Sequence, residues 1–166
     1  MKPLRWVLAL VVALTAATSC ADDRTDGRTE ETMQPVTLKM SEALVATAEN
    51  LSAVVGEHVD ASPDKAQRDG CRTVDLMPAG PPWTVRFTRA YDHPSSELIA
   101  ATLGRLEALS VKGFQLQARK RPDPAPPHEF TYRDAAGYTV GTSEYREGDG
   151  TPVFRVTASS PCANED

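Results

Sequence analysis

Three runs near the C-terminus decide the fold: Glu129-Phe130-Thr131-Tyr132-Arg133, Tyr138-Thr139-Val140-Gly141-Thr142-Ser143-Glu144-Tyr145 and Val153-Phe154-Arg155-Val156-Thr157-Ala158. Each is rich in β-branched and aromatic residues, the composition that suits a pleated, half-buried surface. Asp134-Ala135-Ala136-Gly137 joins the first two, and a connection through Glu147-Gly148-Asp149-Gly150 joins the last two. Short joints that carry glycine predict an antiparallel meander.

Working outward, Phe114 to Arg119 alternates as a further strand, and Pro122 to Pro127 holds four prolines that require a loop. Pro94-Ser95-Ser96-Glu97 opens a helix, with proline in the first turn and an acid at the positive end of the dipole. Its apolar stripe is Leu98, Ile99, Thr102, Leu103, Leu106 and Leu109, and Gly113 is the stop. Before it, Trp83, Val85 and Phe87 alternate with Thr84, Arg86 and Thr88, the period of a strand buried on one face. His58 to Pro82 is rich in turn residues, with a short strand expected over Cys71 to Leu76. Between Val36 and Glu57, Met40, Leu44, Leu51 and Val55 recur at helical spacing, with Ala43, Ala48 and Val54 beside them. The order is helix, strand, helix, then four strands. It predicts one α+β domain over 36–166, with both helices on one face of an antiparallel sheet of about five strands.

The first twenty residues concern address. Lys2 and Arg5 precede an apolar run from Trp6 to Leu14, which is too short for the roughly 20 residues that span a bilayer. Small residues then lead to Cys20. Ala17-Thr18-Ser19-Cys20 resembles the lipobox of bacterial lipoproteins, although Ala17 and Ser19 depart from the usual leucine and glycine or alanine. An ordinary secretory signal is the other reading. The resemblance covers only this segment. It implies a signal peptide over 1–19, cleaved ahead of a Cys20 that carries a thioether-linked diacylglyceryl group. Two acyl chains are enough for stable anchoring where one is marginal. Ala21 to Pro35 has almost no apolar residues, so 20–35 is expected to be the lipidated cysteine and a flexible stalk, with a reach on the order of 20 Å. The layout is similar to that of small lipoproteins of high-GC Gram-positive bacteria.

With Cys20 assigned to lipid, Cys71 and Cys162 remain, and an oxidising compartment favours a disulfide between them over two free thiols. Formal net charge is −5 and becomes more negative once Lys2 and Arg5 leave with the signal. A net-acidic chain has no general attraction to nucleic acid, so none is expected as a partner.

Chemistry is sparse. His58, His93 and His128 stand far apart, with no paired ligand spacing, so no metal or other cofactor is expected. Asp92-His93 before Pro94, and Ser95-Ser96 after it, read as helix capping. No serine-nucleophile motif and no glycine-rich phosphate cradle occurs, and Glu147 with Asp149 reads as a solvated turn. What remains is the sheet face opposite the helices, carrying Arg86, Gln115, Gln117, Arg119, Thr131 and Arg133, with Arg146 or Arg155. Arg86, Arg119 and Arg133 are the candidate partner-binding residues. The expectation is a non-enzymatic, lipid-anchored lipoprotein on the extracytoplasmic side of the cell membrane, binding an envelope protein or a small ligand. An exported enzyme without a recognisable motif is the alternative class.

Overall fold

The computed structural model describes residues 36–118 and 127–166. Cys20, the expected signal over 1–19 and the expected stalk lie outside them, as does Arg119.

The meander forms as its turns require. Strands β4 (Phe130–Arg133), β5 (Thr139–Arg146) and β6 (Pro152–Ser159) pair antiparallel in sequence order. Gly137 and Gly150 sit at φ +97° and +89°, where a side chain is disfavoured. The Asp134 carboxylate accepts from Tyr138 N–H at 2.8 Å, and the Asp149 carboxylate accepts from Thr151 N–H at 2.9 Å.

Three further strands complete the sheet: β1 (Gln67–Val74), β2 (Met77–Asp92) and the two-residue β3 (Gln115–Leu116). The order is β1-β2-β6-β5-β4-β3, antiparallel throughout, so there are six strands where about five were expected. The difference lies in His58 to Pro82. Much of that stretch is a long β1–β2 hairpin closed by Asp75 and Leu76, both at positive φ. Prolines 78, 81 and 82 mimic a loop in the sequence. They are tolerated because β6 pairs with β2 only from Arg86 onward, which leaves the outer half of the hairpin an arm with no third strand needing their N–H groups. A bulge between Gly70 and Arg72 offsets the register, and a Cβ on Gly70 would lie 2.2 Å from the Ala79 carbonyl carbon, so only glycine fits. Leu76 at φ +65° occupies a turn position where glycine or asparagine is at ease.

Both helices, α1 (Met40–Val55) and α2 (Ser96–Ala108), pack against the sheet on the side of Val85, Phe87, Val140, Phe154, Val156 and Ala158. Helix α1 contributes Met40, Ala43, Leu44, Ala48, Leu51 and Val54 to that core, and α2 contributes Leu106. The cap of α2 is Ser95, whose Oγ accepts from Leu98 N–H at 3.2 Å. This corrects the reading of Pro94 as a first-turn residue: the helix begins at Ser96, and Asp92 and His93 take no part in the cap. His93 instead donates its backbone N–H to Pro152 O at 2.9 Å. Arg105 of α2 donates to the last-turn carbonyls of α1, at 2.7 Å to Val54 O and 3.0 Å to Val55 O. A helix C-terminus leaves carbonyls without partners, and a guanidinium is well suited to satisfy them.

The C-terminal segment locks the assembly. Trp83 and Ala163 exchange backbone hydrogen bonds at 2.9 and 2.8 Å, while Asn164 accepts from Met40 N–H and donates to Leu38 O. The strap thus lies between the start of α1 and the root of the arm. Its Cys162 is bonded to Cys71, with Cα atoms 6.1 Å apart and a sequence separation of 91, as the cysteine arithmetic predicts.

Candidate functional site

Among the described residues, the second face of the sheet carries no helix. Because side chains alternate along a strand, the register specifies what shares this face. Gln67 pairs with Arg86, Arg86 with Ser159, Ser159 with Thr139, Thr139 with Arg133, and Arg133 with Gln115. One row of side chains therefore crosses all six strands, with Arg86 and Arg133 three strands apart, about 14 Å between backbones at 4.8 Å per step. The next row is Thr88, Thr157, Gly141 and Thr131. Gly141 has no side chain, and the floor dips there into a shallow groove of about 240 Å³ lined by Glu129, Thr131, Thr139, Ser143, Thr157 and Ser159.

The expected residues divide clearly. Arg86 and Arg133 share the face, with Gln115 and Thr131 alongside. Arg86 is partly neutralised by Asp69, whose Oδ2 lies 2.9 Å from its Nη2. That oxygen is sealed from solvent and accepts no aligned hydrogen bond, so the contact is chiefly Coulombic. Arg133 is exposed and has no ion pair among the described residues. Arg155 also lies on this face, its guanidinium 4.5 Å from the Tyr145 ring centroid and bonded to the Tyr145 hydroxyl. Stacking on an aromatic ring fixes such a group and leaves its charge available. Arg146 pairs with Pro152 on the opposite parity and donates to Gly150 O at 3.0 Å, so it belongs to the turn.

The hydroxyls of Thr139, Ser143, Thr157 and Ser159 are the part of this surface not singled out from the sequence. The signal was present in the alternation of Thr139, Gly141, Ser143 and Tyr145 with Val140, Thr142 and Glu144. With Asp69 and Glu129 included, the face is richer in hydroxyls and closer to charge balance than a list of arginines implies.

Elsewhere, His128 Nδ1 lies 2.7 Å from Glu144 Oε2 at the edge of the helix-bearing side, and the Thr142 hydroxyl donates to His128 O. The backbone N–H of Thr151 beside Asp149 holds its carboxyl below the ordinary value, which fits a closed turn. Burial raises the Tyr138 and Tyr91 hydroxyls above theirs. Among the described residues no three of His, Cys, Asp and Glu converge as a metal site, and no helix is long and apolar enough to cross a membrane. The groove lining consists of hydroxyls, a glycine and one carboxylate. This set can accept and donate hydrogen bonds but places no imidazole, amine or thiol beside a hydroxyl to activate it. No known protein family, curated protein or solved structure matches the chain.

Proposed function

We propose that this chain is a lipid-anchored extracytoplasmic protein whose α+β domain is a non-enzymatic binding or accessory module of the cell envelope. The anchor is assigned to Cys20, the membrane is reached through its acyl chains, and a partner protein is met on the helix-free sheet face. One observation carries the partner reading: the cross-strand row Arg86–Ser159–Thr139–Arg133, which sets two guanidiniums at either end of two hydroxyls on a face that bears no helix among the described residues. Arginine, with its planar fork of donors, is enriched in interfaces, and hydroxyl neighbours supply adaptable hydrogen bonds. The matching partner surface offers carboxylates with the same spacing. A disulfide between the strap and the arm supports an oxidising compartment.

Arg133 is the position to test, because Arg86 is tied to Asp69 and its loss would disturb the sheet edge. Arg133→Glu is expected to abolish partner capture when the protein is cross-linked and purified from membranes, with the unfolding midpoint unchanged. Capture is also expected to weaken as salt rises, since rim charges act mainly on association. Undiminished capture by Arg133→Glu at low and physiological salt would return the face to a solvated surface.

A further inference from the structure

The arm ends in a feature that the sheet face does not use. Leu76 is 92% exposed, Met77 68% and Val74 53%. Three large apolar side chains therefore stand at one hairpin tip, where neither helix nor sheet covers them. Leu76 is also held at φ +65° in a two-residue turn that glycine or asparagine would occupy without strain. An apolar residue retained at a strained, solvated position gains nothing from the fold around it.

We propose that this tip rests on the bilayer that holds the anchor, as a shallow second point of contact. The inference relies on the lipidation of Cys20 proposed above. The geometry supports it in two ways. Chain entry lies close to the root of the arm: Leu38 pairs with Asn164, and the neighbouring Ala163 pairs with Trp83, so the first described residues stand two backbone ladders from β2, about 10 Å. From Trp83 to Met77 the arm extends six residues, roughly 20 Å at 3.3 Å per residue. That length matches the reach on the order of 20 Å expected for the segment between Cys20 and Val36. A domain held at that height and entered beside the root of the arm has the tip within reach of the surface. The Cys71–Cys162 bond ties the arm to the strap at its base.

The charges define the mode of contact. Val74 and Met77 form a cross-strand pair, with Arg72 and Ala79 the next pair on the same face. The Arg72 guanidinium donates to Gly80 O at 3.3 Å, which holds its charge back along the arm while the apolar pair sits at the acyl boundary. Asp75, at the apex, keeps the contact at headgroup depth.

The test separates this contact from the anchor. The mature chain from Cys20, made without its signal, has one free thiol once Cys71 and Cys162 are bonded. It can therefore be coupled through Cys20 to phosphatidylcholine vesicles bearing a maleimide lipid. In a Leu76→Trp form, tryptophan emission in excess of the parent chain is expected to be quenched by acyl chains brominated near the headgroup. Adding Met77→Asp is expected to remove that quenching. No quenching beyond the parent would overturn the proposal. So would a concentration-dependent blue shift of Leu76→Trp without vesicles, which would assign the tip to self-association. If protein isolated from cells lacks the diacylglyceryl mass while the vesicle result is positive, the anchor fails and the bilayer affinity of the arm stands. A modified Cys20 with no quenching is the reverse.

Discussion

Replacing Cys71 and Cys162 together by alanine is expected to lower the free energy of unfolding by about 4–5 kcal/mol, the ceiling that chain entropy sets for a loop of this length. The bridge joins positions 91 apart in sequence and closes a loop that holds β2 to β6 and α2, from the root of the arm to the strap beside α1. Domains of this kind are stable by only about 5–15 kcal/mol, so the loss approaches the total. Its origin is distinctive. The bond restricts the unfolded chain, so the variant should show a lower urea midpoint together with a steeper denaturant dependence, because the freed chain exposes more surface. An unchanged midpoint would mean that the strap is held by its backbone hydrogen bonds to Trp83, Met40 and Leu38 without need of the bond.

Phe154→Ala is expected to cost about 3–5 kcal/mol by the opposite route. Phe154 is fully buried in β6, between Tyr91 of β2 and Glu144 of β5, on the face that meets the helices. Truncation removes apolar surface from the core and leaves a cavity that a sheet paired on both sides cannot close. The urea midpoint should fall with the denaturant slope unchanged, since the unfolded chain keeps its disulfide. A loss below about 1 kcal/mol would contradict the placement of this ring at the centre of the core.

The parts of this fold legible from sequence are those where local chemistry and global packing agree. Gly137 and Gly150 occupy turns that need their positive φ, Trp83, Val85 and Phe87 alternate onto the core, and the stripe of α1 is regular. Three cysteines with one assigned to lipid leave a single pairing, and that pairing is present. The arm was hidden because Pro78, Pro81 and Pro82 normally break strands, and no residue signals from sequence that a strand will lack its third neighbour. Asp75-Leu76 is equally opaque, since leucine is a poor marker of a left-handed turn. On the open face the arginines were visible as charges, yet the partnership of Arg86 with Asp69 and the stacking of Arg155 on Tyr145 depend on register across strands far apart in sequence. Arg119, the third candidate, lies outside the described residues, and the arginines at either end of the row are Arg86 and Arg133.

Intact mass analysis of the protein extracted from its own membranes is the direct test of the lipid anchor that we propose at Cys20. The expected result is a chain that begins at Cys20, carries the added mass of a diacylglyceryl group, retains the Cys71–Cys162 bond and partitions into detergent. A wholly soluble chain with an unmodified N-terminus would contradict it.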